Sequence, residues 1–319
     1  MMSVSTQTAP HTAATEGVLA VAKEAGWTSH DVVVQVRGIL GGVKVGHAGT
    51  LDPAATGVLL LLVGRATRVA EYLVDWDKEY RAVLRLGATT DTQDATGRVL
   101  TQTDSNRVSE PALREVVARF RGVQQQLPPM YSAVKVGGRP LYKAARAGKT
   151  VERRERSIVI HELKVLGVDG RDVTLRVVCS KGTYIRTLCA DIGQALGVGG
   201  HLCALERRRV GPLSIDRALT VDQIAGLAAI GRLRQHLIPM DQVLEQLPAL
   251  VVAGEQARRV LHGGAVVLEG VRQLPPASAP VSVRLKDDAG RLLAIGTFAA
   301  GTAGPITIDK VLAEIGSRD

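Results

Sequence analysis

Residues 46–57 read Gly-His-Ala-Gly-Thr-Leu-Asp-Pro-Ala-Ala-Thr-Gly, and the chain then enters six consecutive apolar residues, Val58 to Val63. A run that short, bounded by glycines, suits a buried strand better than a helix. Asp52 is the only acid in the bend that feeds it. Pro53 fixes its own φ and drives Asp52 towards an extended backbone, so the carboxylate has a preset direction. Gly46, Gly49 and Gly57 leave room for another molecule's backbone to come close. Two readings follow from spacing alone: an ordinary Asp-Pro turn between a helix and a strand, or a carboxylate presented for chemistry.

The 319 residues suffice for a substantial core plus a second, smaller domain. No apolar run approaches the roughly 20 residues that span a bilayer, so a soluble, cytoplasmic chain with no membrane partner is expected. Residues 1–16 are rich in Ser, Thr and Ala and lack both a basic start and an apolar segment, which predicts an unstructured tail rather than a signal peptide. Cys179, Cys189 and Cys203 include no Cys-x-x-Cys pair, so they read as reduced thiols, without a disulfide framework or a zinc site.

The net charge of +9 is unevenly distributed. Lys135, Arg139, Lys143, Arg146, Lys149, Arg153, Arg154 and Arg156 face only Glu152 and Glu155 in their stretch. A basic segment this concentrated reads as a polyanion footprint, or as a solvated loop. Arginine outnumbers lysine thirty to ten, which favours bidentate phosphate contacts and stacking on bases.

Along the chain, Val18 to Val21 is a strand candidate, and Thr28 with Asp31 forms a capping box for a helix that Gly41-Gly42 ends. Ala66 to Val74 reads as a short helix. Tyr80, Ala82, Leu84 and Leu86 alternate as the apolar face of a strand. The polar stretch Gly87 to Gly97 carries Asp91 and Asp94, but its acids miss the alternating positions of a calcium loop, so no metal is expected. Ser109 caps a helix reaching Phe120. Val173, Leu175, Val177 and Cys179 alternate as a strand, and Ile185, Leu188, Ile192 and Leu196 follow at helical spacing. Arg186 thus falls in a first helical turn, where the macrodipole disfavours a cation; a carboxylate from elsewhere would explain it. Thr220 and Gln223 make another capping box. Beyond Leu247-Pro248 a small, mostly β unit follows.

These blocks resemble the TruB family of tRNA pseudouridine synthases. Residues 46–57 fill every fixed position of its G-H-x-G-x-L-D-P-x-A-x-G motif, and Lys78-Glu79-Tyr80, Gly87 to Gly97, Gln126 to Lys135, Gly138 to Gly148, Ser180 to Leu188 and His201 to Pro212 match further family stretches. The resemblance implies an α+β pseudouridine-synthase catalytic fold, with a central mixed or antiparallel sheet flanked by helices, over residues 17–246. It also implies a basic RNA-clamping insertion at about 124–156 and a small PUA-like RNA-binding domain over 247–319. It implies Asp52 as the catalytic nucleophile, and Tyr80, Tyr184, Arg186, Leu205, His47, Lys23 and Gly46 as residues that bind the substrate. Lys135, Arg139, Lys143, Arg146 and Lys149 would contact the RNA backbone. The chain departs from the family at Ala22 and Glu24, where Asp and Pro are usual, and at Glu206, where arginine is usual.

The expected activity is conversion of uridine to pseudouridine in the TΨC loop of tRNA, at the position numbered 55. The partner would be the T-arm stem-loop and the enzyme a monomer. Breaking an N-glycosidic bond and rejoining the base through carbon requires a nucleophile that can leave again, and an ionised carboxylate qualifies. No cofactor and no metal are chemically required. Tyr80 is the expected acid-base group for the base carbon. The alternatives are a non-catalytic tRNA-binding or folding protein of the same fold, and a hydrolase or metalloenzyme using His47, Asp52, Asp91 and Asp94.

Overall fold

A computed structural model describes residues 16–132, 134–149, 151–267, 280–299 and 304–314. The tail expected at the N-terminus otherwise lies outside them. In chain order come β1 (Gly17–Lys23), α1 (Ser29–Ile39), β2 (Val45–Ala48), β3 (Thr56–Val63) and, after a 3-10 turn at Gly64–Val69, the short α2 (Ala70–Val74). Next are β4 (Lys78–Leu86), the small pair β5 (Ala88–Thr90) and β6 (Val99–Gln102), and α3 (Glu110–Arg119). β7 (Gly122–Gln126) precedes an insertion made of β8 (Lys135–Val136), β9 (Arg139–Pro140) and α4 (Leu141–Arg146). The hairpin β10 (Arg156–Asp169) and β11 (Asp172–Cys179) leads to α5 (Ile185–Ala195), β12 (Gly200–Val210), β13 (Leu213–Ser214), α6 (Val221–Ala229) and α7 (Met240–Val243). The last elements are β14 (Ala249–Val251), α8 (Gly254–Leu261), β15 (Val281–Lys286), β16 (Leu292–Phe298) and β17 (Thr307–Val311).

The central sheet runs β1-β3-β12-β4-β11-β10-β7, with β2 added to β3 and β13 to β12. Every pairing in it is antiparallel except β3 with β12. From Val58 to Val63 β3 is apolar because both of its faces are covered. Leu59, Leu61 and Val63 pack under α1 and α6, while Val58, Leu60 and Leu62 join Ala66, Val69 and Leu73 on the other side. The alternation of β4 matches its burial: Tyr80, Ala82, Leu84 and Leu86 face a core shared with α3 and α5. The capping boxes at Thr28 and Thr220 both form, and Ser109 accepts a hydrogen bond from the Ala112 amide.

Two expectations need correcting. The helix expected over Ala66 to Val74 is a 3-10 turn followed by one α-helical turn and little more. There the Thr67 hydroxyl donates back to the Gly64 carbonyl, an i to i−3 contact that holds the tighter winding. The Asp52 bend does not join a helix to a strand. It joins β2 to β3, two antiparallel neighbours, with Val45 opposite Val63 and Ala48 opposite Leu60.

That bend occupies a fork. One edge of β3 is taken along its length by β1. On the other edge β2 pairs with the C-terminal half, and β12 pairs with Thr56 and Gly57 at the start. Residues 49–55 therefore leave the sheet where β3 changes partner. The room at Gly57 is filled by the protein itself: φ is +105°, and a Cβ there would fall well inside contact distance of the Arg207 backbone. Gly57→Ala is expected to lower the unfolding free energy by about 1–3 kcal/mol, the usual range for overpacking, read as a lower urea midpoint at constant m-value. An unchanged midpoint would show that the two strands can separate without cost.

The four-stranded sheet β14-β15-β16-β17 has its own core of Leu250, Val252, Val260, Val283, Leu285 and Leu293. It does not stand apart. Ile295 and Leu312 reach into the cluster beneath β3, and Arg284 and Lys286 both bind Asp241 on α7, at 2.8 and 2.7 Å.

Candidate active site

The backbone on both sides of Asp52 is tied down from outside the bend, through Gly49, Thr50, Leu51 and Pro53. Ser29, buried at the start of α1, accepts from the Leu51 amide at 2.9 Å, and its hydroxyl donates to the Leu51 carbonyl at 3.1 Å. The Gly26 amide donates to the Pro53 carbonyl at 2.8 Å, and Lys23 Nζ reaches that carbonyl at 3.2 Å. From the opposite side Arg207 donates to the carbonyls of Gly49 at 2.7 Å, Thr50 at 3.4 Å and Val58 at 2.7 Å. The Ala55 amide closes the turn on the Asp52 carbonyl. Gly49 is needed at φ +79°, a left-handed backbone that orients its carbonyl towards the guanidinium.

The Asp52 carboxylate retains 45 % of its exposure and lies 3.0 Å from Arg186 Nε, a side chain only 7 % exposed. Arg186 comes from the first turn of α5, which is anchored by a reciprocal pair of hydrogen bonds between the Gln126 side chain and the backbone of Tyr184. Its remaining donors go to the carbonyls of Tyr131 at 2.9 Å and Thr92 at 3.4 Å, and Asp94 Oδ2 stands 3.8 Å away. The macrodipole penalty on this arginine is thus offset by two carboxylates and two carbonyls.

Surrounding protein mass raises the pKa of Asp52; Arg186 opposes the shift, and Asp94 reinforces it. Desolvation outweighs the guanidinium. Tyr80 is buried on β4, opposite Arg207 of β12, and burial raises its pKa, so at neutral pH it is a phenol able to donate a proton rather than a phenolate. Leu205 is half-buried and packs against both the core under β4 and the one under α1. Tyr184 is half-exposed at the N-terminus of α5.

The remaining expected substrate-binding residues are Lys23, His47 and Gly46. Lys23 is 2 % exposed, and its ammonium is occupied by the carbonyls of Glu24, Trp27 and Pro53; burial brings its pKa down to about 8. It is a buried tie for the bend. His47 lies in β2 with Nδ1 buried and unpartnered among the described residues; burial lowers its pKa, with Arg207 adding to the effect, so it is neutral. Gly46, also in β2, would meet only Thr67 if given a Cβ, at ordinary contact distance.

On the insertion, Lys143 and Lys149 are exposed, and so are Arg154 and Arg156; the side chains of Lys135, Arg139 and Arg146 lie outside the described part. A cavity of about 440 Å³ lined by Thr89, Gln93, Thr101 and Gln194 does not include Asp52 or Arg186. Among the described residues no three His, Cys, Asp or Glu side chains are grouped to hold a metal ion, and no helix is long and apolar enough to cross a membrane.

Sequence reasoning missed Arg207, Ser29 and Gln126 as parts of the site, and it named Asp94 only in the alternative of a hydrolase or metalloenzyme. Arg207 lies in a run of three arginines that reads as exposed charge. Its signal was parity with Leu205 on an alternating strand, which the bulges between Leu202 and Ala204 and between Arg207 and Arg209 obscure.

Comparison with known proteins finds relatives over most of the chain. Residues 37–185 match the model for the TruB family pseudouridylate synthase N-terminal domain, and residues 186–245 match the tRNA pseudouridylate synthase B C-terminal domain. The tRNA pseudouridine synthase B of Thermobifida fusca (strain YX) is 43 % identical over 301 residues, covering 92 % of this chain and 98 % of that one. Its counterpart in Ralstonia pickettii (strain 12J) is 46 % identical over 257 residues, 79 % of this chain and 80 % of that one. Among solved structures, a Cbf5-Nop10-Gar1 complex is similar with TM-score 0.71 and 31 % identity, over 93 % of this chain and 85 % of that chain. An H/ACA RNP bound to a substrate RNA containing 2′-deoxyuridine also has TM-score 0.71, at 28 % identity, over 94 % and 86 %.

The raised pKa of Asp52 makes a prediction about stability. The folded state binds that proton more readily than the unfolded chain, so the stability associated with the protonated acid is present at low pH and lost as pH rises through the folded-state pKa. Asp52→Asn, neutral at every pH, escapes this loss. Its melting temperature is expected to exceed that of the wild type near pH 8, with the gap narrowing towards pH 4.5 in scanning fluorimetry. A gap that widens in acid would contradict the assigned shift.

Proposed function

This chain belongs to the TruB family of pseudouridylate synthases, and from that premise we propose that it forms pseudouridine in tRNA at the TΨC-loop uridine numbered 55, with Asp52 as the nucleophile. The net change is cleavage of the N1–C1′ bond, formation of a C5–C1′ bond and loss of the C5 proton, with N1 regaining one. It is an isomerisation with no oxidation or reduction. The observation that carries this reading is a single exposed carboxylate in a backbone-pinned bend, 3.0 Å from a nearly buried guanidinium. Such a carboxylate can be ionised, can form a bond, and can leave again.

The substrate base has to be out of the helical stack to reach Asp52, at a cost of a few kcal/mol that stacking and packing offset. Tyr80 and Leu205 supply the apolar walls for it, and the Tyr80 phenol is assigned as the acid-base group for the base carbon. We assign residues 17–246 to the catalytic unit and 247–319 to a PUA-like RNA-binding appendage. The insertion is read as the clamp on the T-arm, because its exposed lysines and arginines match a phosphate backbone in sign.

Two experiments test the assignment. Asp52→Asn is expected to abolish pseudouridine formation, mapped at single-nucleotide resolution on an unmodified tRNA transcript, while tRNA affinity changes less than about threefold, under 1 kcal/mol. Tenfold weaker binding would make Asp52 structural. Replacing Lys143 and Lys149 by Gln should make the plot of log K against log[salt] shallower by about 0.7–0.9 for each phosphate that is no longer neutralised. An unaltered slope removes that segment from the interface.

A further inference from the structure

We propose that Arg207 is a positioning residue of this reaction: the buried guanidinium is the template on which the Asp52 bend is set, and a fixed positive charge behind its carboxylate. The inference rests on the assignment of Asp52 as nucleophile.

Arg207 is the largest of the fully buried side chains, at 2 % exposure. Its hydrogen bonds go to three backbone carbonyl oxygens and to the Tyr80 phenol oxygen, and none of those described goes to a carboxylate. Burying a cation without a counter-ion is costly, and an apolar side chain of similar volume would fill the same space at less expense. The three carbonyls explain the choice. Gly49 and Thr50 lie just before Asp52, and Val58 lies just after the bend. One planar guanidinium therefore ties the entry of the bend to its exit, which a point charge on a flexible stem cannot do equally well.

The strand register makes the same residue a neighbour of the rest of the site. Arg207 stands opposite Gly57 on β3 and opposite Tyr80 on β4. The missing Cβ at Gly57 is what allows the two backbones to approach. The charged groups that face Asp52 are Arg186 from α5, Asp94 from the segment between β5 and β6, Lys23 from β1 and Arg207 from β12. Of the two buried cations behind the bend, Lys23 is brought by burial to a pKa of about 8, and only Arg207 reaches both the entry and the exit of the bend.

The test is a set of single-turnover rates on a saturating tRNA transcript from pH 5.5 to 8.5, for wild type, Asp52→Asn, Arg207→Lys and Arg207→Met, with tRNA affinity measured in parallel. Both Arg207 variants should bind tRNA within about twofold of wild type. Arg207→Lys should lose about tenfold in rate and Arg207→Met about a hundredfold, the scale expected when a reacting group is misplaced by an ångström or less. The acid limb of the profile should move to higher pH in Arg207→Met and stay in place in Arg207→Lys, which keeps the charge. A merely structural role would not split the two variants in this way. Rates within twofold of wild type, a loss confined to tRNA affinity, or an acid limb that moves in neither variant would each overturn the proposal. Should Arg207→Met fail to fold by circular dichroism, Arg207→Lys decides alone, and a wild-type rate for it overturns the inference. Turnover by Asp52→Asn would instead overturn the assignment of the nucleophile on which this inference stands.

Discussion

An acid that has to be charged sits where protein mass favours its neutral form, and a guanidinium 3.0 Å away is what opposes that tendency. Two separate things must be built for this contact to exist. The carboxylate must be held in a fixed direction by its own backbone, and Arg186 must be brought from a helix more than a hundred residues later in the chain. The second requirement accounts for the order of the central sheet. β4, β11 and β12 form the floor from which α5 projects its first turn towards the bend between β2 and β3.

The site divides labour among its cations by what each one binds. Arg186 addresses the side chain of Asp52, along with Asp94 and two carbonyls. Arg207 and Lys23 address main-chain carbonyls from opposite sides of the bend, and Arg207 also contacts the Tyr80 phenol. Carbonyl oxygens are acceptors that a tight bend leaves without partners, and buried ones need a donor. Supplying that donor as a cation satisfies the bend and adds a positive field near the nucleophile in the same step. The arrangement avoids a direct second salt bridge to Asp52, which would compete with substrate for its oxygens.

The C-terminal sheet packs against the region beneath β3. Ile295 and Leu312 complete the cluster beneath the face of β3 that carries Val58, Leu60 and Leu62. Asp241 is shared by Arg284 and Lys286, two cations from one strand on a single carboxylate, which orients the small sheet against α7. Lys310 adds a hydrogen bond to the Arg68 carbonyl.

Local patterns determined much of this protein. The apolar run after Gly57, the alternation of β4 and β11, and the capping boxes at Thr28 and Thr220 are short-range signals, and each became the element it predicts because period and capping act within a few residues. The motif around Asp52 and the first-turn position of Arg186 were legible for the same reason. Tertiary structure alone decided that the bend lies at a fork in the sheet, that the space at Gly57 is filled by β12, and that Lys23 serves the bend from within. It also decided that one arginine among three consecutive ones, Arg207, would be buried. Those outcomes depend on a parallel pairing between β3 and β12 and on two bulges that reset which side chains face inward. Pairing and register across 150 residues are set by packing of the whole core, and no local period encodes them.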